Sequence, residues 1–158
     1  MQQFIIEDTK GFMGKLLSSE FFDRLELVQL ELTTSVVHTV DGRLRKEFFD
    51  TDQETELKAE GMGEYIRWKE EKALFFQSIR GTTLPLGFKI VFRIPDAMAL
   101  QISDRLAAIS SMFLNVNYTR LQTTVTTGIS MKSFPSDPSI GQEFDAFVKN
   151  VFQKMEIG

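Results

Sequence analysis

The end of the chain sets the first constraint on its fold. In "SDPSIGQEFDAFVKNVFQKMEI", Phe144, Phe147, Val148, Val151, Phe152 and Met155 recur at intervals of three and four. That period puts them on one side of a helix over 137–156, with a polar face opposite. A helix of this kind is held mostly by whatever covers its apolar stripe. If it lies across a sheet, the stripe is core. If it projects, the stripe is an interface. The first arrangement is the commoner one.

The rest of the chain offers the sheet. "LGFKIVFRI" alternates, with Phe88, Ile90, Phe92 and Ile94 on one face. "FIIE" (4–7), "YIRW" (65–68), "MFLNVNY" and "LQTTVTTGISMKSF" also read as strands, and a long strand is expected within 22–34. Asp41-Gly42, inside "VVHTVDGRL", is a strong signal for a tight hairpin turn, with 43–49 as the returning strand. Helices are expected at 8–20, capped by Asp8 or Thr9 with Phe12, Met13, Leu16 and Leu17 on one face, and in "KEEKALFFQSIRG", with Leu74, Phe75 and Ile79 inward and Gly81 closing it. The polar stretch 50–64 is a surface linker or a short helix ended by Gly61. Within 95–110 there is room for one or two helical turns.

These elements predict one α+β domain over 1–158, with antiparallel strands and helices on one side. Their order recurs. Strand, helix, long strand and hairpin run through 4–49 and again, with an insertion, through 65–134. Two such β-α-β-β-β halves resemble a domain of a DNA sliding clamp, and the C-terminal helix would be an addition to that unit. The alternative is a helix-grip arrangement, a curved sheet around the last helix. Clamp helices facing DNA carry several Lys and Arg. Here the helices offer Lys10 and Lys15, then Lys69, Lys72 and Arg80, offset by Glu70 and Glu71.

Composition removes several chemistries. Cysteine is absent, which excludes thiol nucleophiles, disulfides and thiolate metal sites and fits the cytosol. There is one histidine, and the formal net charge is −4, with no basic stripe of the kind phosphate neutralisation requires. No signal peptide is visible, and no apolar run nears the roughly 20 residues a spanning helix needs. Fifteen phenylalanines against one Trp and two Tyr point to a phenyl-rich core.

The motifs that resemble sites weigh toward structure. His38 lies in strand-like sequence three residues from Asp41, with no nucleophile beside it, so it reads as a cross-strand partner on a half-exposed face. "DTDQETE" would need Gly and Glu where Thr55 and Gly61 stand in order to be a calcium loop, and it reads as a solvated acidic segment. "EGMGE" has Ile66 where a dinucleotide loop needs glycine. "SIRGTTLP" is a helix C-cap, and a helix C-terminus disfavours anions. "TTVTTG" puts Thr124 and Thr126 on one strand face, with Thr123, Val125 and Thr127 on the other.

Five stretches, "FMGKLLSSEFFD", "TVDGRLRKEFF", "SIRGTTLPLGFKIVF", "FLNVNY" and "TTVTTGIS", resemble a group of uncharacterised proteins of Gram-positive bacteria that is catalogued only as a domain of unknown function. The resemblance implies a single-domain bacterial protein and brings no activity, substrate or catalytic residue with it. The sequence therefore points to a cytoplasmic, non-catalytic binding or scaffolding module, with no catalytic residues, metal ligands or cofactor expected. A protein partner or a second copy would be its ligand. The alternatives are a clamp-related protein that contacts DNA or replication partners, and a small-molecule binder or enzyme with a pocket in a curved sheet. No membrane partner is expected.

Overall fold

The computed structural model describes residues 1–61, 63–81, 83–103, 109–131 and 138–157. Along the chain run β1 (Gln3–Ile6), α1 (Thr9–Ser18), α2 (Glu20–Arg24), β2 (Glu26–Thr33), β3 (Val37–Asp41), α3 (Thr51–Ala59) and α4 (Trp68–Ile79). Then come β4 (Gly87–Arg93), α5 (Asp96–Ile102), β5 (Ile109–Thr119), β6 (Thr123–Met131) and α6 (Pro138–Lys154). Among the described residues the six strands form one antiparallel sheet in the order β1-β6-β5-β4-β2-β3, and the fold is α+β. The first strand pairs with the last, β1 with β6, so a single sheet runs through both halves of the chain.

Alternation along the strands makes one face of this sheet apolar. Leu32, Phe88 and Tyr118 stand side by side across β2, β4 and β5. Leu30, Ile90, Val116 and Val125 make the next row, and Leu27, Phe92 and Leu114 the third. All are buried, and so is Ile94, which places the four alternating residues of β4 and its end as expected. The opposite face carries Glu31, Lys89 and Asn117 in one row and Gln29, Val91 and Asn115 in another. A bulge at Val28 shifts the register between Leu27 and Gln29.

Helices α1, α2, α4, α5 and α6 cover the apolar face. Ile140, Phe144, Val148 and Phe152 of α6 are buried in the same core, and Phe147, Val151 and Met155 pack against it. Phe152 meets Phe4 of β1 edge-on at 5.4 Å. The C-terminal stripe is therefore core and not a projecting interface. In α1, the Asp8 carboxylate accepts from the Gly11 N–H at 2.9 Å, so Asp8 is the cap, and Phe12 and Leu16 are buried. α3 begins in a reciprocal capping box between Asp50 and Gln53, and Gly61 follows at φ 80°.

Four expectations are corrected. The hairpin turn falls at 34–36, where the Thr34 N–H donates to the Val36 carbonyl, and not at Asp41-Gly42. Asp41 instead ends β3, its carboxylate accepting from the Arg43 N–H at 3.0 Å and from Arg45 Nη2 at 2.7 Å. These bonds, the backbone one foremost, hold its pKa below the usual carboxylate range. Gly42 is required by close approach: a Cβ there would stand 1.8 Å from the Leu27 carbonyl oxygen. The expected returning strand is only a bridge from Arg43 to Tyr65 and a 3₁₀ turn at Lys46–Phe48. "YIRW" likewise makes isolated bridges, because Trp68 already opens α4. The long strand expected within 22–34 is β2, preceded by the short helix α2 that Ser19 caps. Leu74 faces outward, whereas Trp68 and Phe75 of α4 are buried and Ile79 packs against the core as expected.

Aromatic rings bind the helical layer to the sheet. Trp68 sits between Phe75 at 5.4 Å and Phe92 at 5.3 Å, and its Nε1–H donates to the Leu16 carbonyl at 2.8 Å. The series continues through Phe75 to Phe88 and from Phe92 to Phe22 and Phe12. Trp68→Phe removes the donor and opens a void, and it should cost about 2–3 kcal/mol in urea unfolding. Phe48→Leu, at a site 82% exposed, should stay within about 0.5 kcal/mol of the parent. Equal effects at the two positions would contradict this role for Trp68.

Candidate ligand-binding groove

Two of the concavities among the described residues differ in how far the protein itself satisfies them. The first lies at one end of the polar sheet face. Glu26 and Arg93 are cross-strand partners there, just beyond the bulge, and Arg67 bridges to Glu26 from the other side. The Arg93 guanidinium donates to Glu26 Oε2 at 3.1 Å, Asp96 Oδ1 at 2.7 Å and Ser111 Oγ at 3.1 Å. Arg67 Nη2 donates to the Glu60 carbonyl at 2.6 Å. The cleft around them has a volume of about 600 Å³.

Burial raises the pKa of Glu26, which is only 7% exposed, although the charge and hydrogen bond of Arg93 pull it down. Burial opposes the charge of Arg93, yet Asp96 and Glu26 together raise its pKa. The cluster closes on itself: every charged group named here already has a protein partner. It brings no Ser–His or Cys–His pair together, since His38 lies exposed on the edge strand opposite Leu32. Among the described residues no group of three His, Asp or Glu is placed to hold a metal ion.

A carboxyl whose folded pKa is raised favours the fold when protonated. Its contribution is therefore full below the ordinary value of 4.5 and declines as pH rises through the folded pKa. Glu26→Gln keeps an acceptor for Arg93 but cannot ionise. Unfolding free energies measured by urea titration should fall less steeply above pH 4.5 in Glu26→Gln than in the parent. Parallel pH profiles would remove this account of Glu26.

The second concavity is a groove of about 550 Å³ on the helical side, at the opposite end of the sheet. Its walls are the start of α1, with Lys10 and Met13, and the end of α4, with Ile79. Its floor is Phe88 and Tyr118, whose rings stack at 4.9 Å with 20° between planes. The strands come close here because position 87 is glycine: a Cβ would stand 2.8 Å from the Tyr118 carbonyl. Tyr118 is 7% exposed, and its hydroxyl bonds to no described residue.

The rim is the 119–122 turn together with Leu84 and Pro85. Thr119 ties the turn, its N–H donating to the Gln122 carbonyl at 2.9 Å and its hydroxyl accepting from the N–H groups of Leu121 and Gln122. This leaves Leu121 97% exposed. Arg120 Nη2 donates to the Leu84 carbonyl at 2.8 Å. Asp and Glu are absent from the described lining, and neither Lys10 nor Arg120 has a carboxylate partner among the described residues.

No motif in the sequence marks this groove. "SIRGTTLP" is the C-cap expected, since the Arg80 N–H donates to the Phe76 carbonyl and Gly81 takes φ 134°, but the segment after it forms the groove's rim. The threonines divide as expected. Thr123 meets Thr9, and Thr127 meets Asp145 of α6, both on the helical side. Of the cations considered for DNA, Lys72 is paired with Asp23 at 2.8 Å.

Among the described residues, one antiparallel sheet with helices packed on its apolar face defines an α+β protein. The chain belongs to a family of unknown function, DUF5721, which matches residues 15–158. That span leaves out β1 and the start of α1, and with them Lys10 and Met13. No curated protein and no solved structure matches the chain. No helix among the described residues is long and apolar enough to cross a membrane.

Proposed function

We propose that this protein is a non-catalytic binding module of the bacterial cytosol whose ligand is a small, largely apolar molecule seated in the groove between α1, α4 and the end of the sheet. The observation that carries this reading is the groove's floor and rim. A stacked Phe88–Tyr118 pair lies beneath exposed Leu84 and Leu121, where a self-sufficient fold would cover such surface. The volume falls within the roughly 300–1,000 Å³ of small-molecule sites. The lack of cysteine supports a reducing compartment.

The clamp-related alternative draws on the recurring element order and on the helix cations. It has the weaker support, because Lys72 is engaged by Asp23, and Glu70 and Glu71 accompany Lys69. A scaffolding role would use the same leucines as a protein contact.

N-phenyl-1-naphthylamine, a neutral apolar fluorophore, tests the groove. It should bind the parent saturably at one site. Met13→Trp, which fills the wall of the groove from a half-buried position on α1, should weaken binding at least about tenfold while the thermal unfolding midpoint stays close to the parent's. Undiminished dye binding in a folded Met13→Trp protein would show that the groove is not the site.

A further inference from the structure

We propose that the groove selects an anionic amphiphile, a molecule with one oxyanion head such as a carboxylate and an alkyl or aryl body. This rests on the groove being the binding site. The charge distribution carries it. The chain as a whole holds 22 acidic against 18 basic residues, yet the described lining of this groove contains Lys10 and Arg120 and no acidic residue.

Arg120 is positioned but not neutralised. Its Nη2 and Nε donate to the backbone carbonyls of Leu84 and Pro85, at 2.8 and 3.4 Å, which fix the guanidinium at the rim without cancelling its charge. Lys10, on the first turn of α1, lines the same groove. The nearest acid in sequence, Asp8, is spent on the helix: its carboxylate accepts from the Gly11 N–H, and a Cβ at Gly11 would meet it at 2.3 Å.

The third group is the Tyr118 hydroxyl. It belongs to a side chain more than nine-tenths buried that lines the groove, and no described residue pairs with it. The hydroxyl oxygen itself is not sealed off, so it is open to a hydrogen bond from water or a ligand in the groove. An oxyanion at the rim meets two cations, and a polar atom along the ligand's body meets Tyr118. The remaining apolar length lies against Met13, Ile79 and the Phe88 ring.

Three probes of one chain length separate head from body: decanoate, 1-decanol and decyltrimethylammonium, titrated by calorimetry below their micelle concentrations. Decanoate should bind at least about tenfold more tightly than 1-decanol, and the ammonium probe most weakly. The doubly substituted Lys10→Gln, Arg120→Gln protein should bring decanoate to the level of 1-decanol measured on the same variant. Both sites are exposed, so the fold is retained, as circular dichroism would verify. Added salt should narrow the gap in the parent.

Equal binding of decanoate and 1-decanol by the parent overturns the inference. So does stronger binding of the ammonium probe, or a preference for decanoate that survives the double substitution. If none of the three probes binds, the groove reading falls with it. If 1-decanol binds and the head makes no difference, only the anion preference is lost.

Discussion

The indole of Trp68 is the contact on which the helical layer depends. It is fully buried, and its one polar group is answered by the Leu16 carbonyl. That bond joins the first residue of α4 to the last turns of α1, while Phe75 and Phe92 hold the ring from both sides. The two helices are thus tied at one end. At that end α2 packs against both, filling the space with Phe21 and Phe22. At the other end the start of α1 and the finish of α4 line the groove above Phe88 and Tyr118. The groove is the consequence of fastening two helices at one end and spacing them by a helix of five residues.

The two concavities differ in kind. The Glu26–Arg93–Asp96 cluster is complete as it stands, and the raised pKa of Glu26 marks a burial cost that Arg93 offsets only in part. Removing one member of such a cluster leaves its partners exposed to that cost, which is why buried ion pairs are better at fixing geometry than at adding stability. Here the geometry fixed is the end of the β2–β4 pair, next to the bulge at Val28. The groove near Tyr118 is incomplete by the same criteria. It has apolar surface without cover, two cations without carboxylates and a hydroxyl without a partner among the described residues.

Much of this architecture is legible in the chain because it rests on period alone. The alternation of Phe88, Ile90, Phe92 and Ile94 and the stripe of α6 each specify a face without reference to anything distant. Asp41-Gly42 misleads because its signal is local and ambiguous. An aspartate that bonds its own backbone two residues on serves the end of a strand as well as a turn between strands. Trp68 misleads because "YIRW" has strand composition, whereas the indole's partner lies 52 positions away. The groove is invisible for the same reason. Lys10, Ile79 and Arg120 share no local pattern, and only the sheet order and the Trp68 contact bring them together. The one available hint is an exposed leucine in a tight turn, Leu121, where turn chemistry calls for a polar residue.

Occupation of this groove by ligand is tested most directly by amide shift mapping by NMR. Titration with decanoate should move the backbone resonances of α1's first turn, of Ile79 and Arg80, and of residues 118–122, and should leave those of Glu26, Arg93 and Asp96 in place. Shifts centred on the Glu26–Arg93 cluster, or on the polar face of the sheet, would contradict the account.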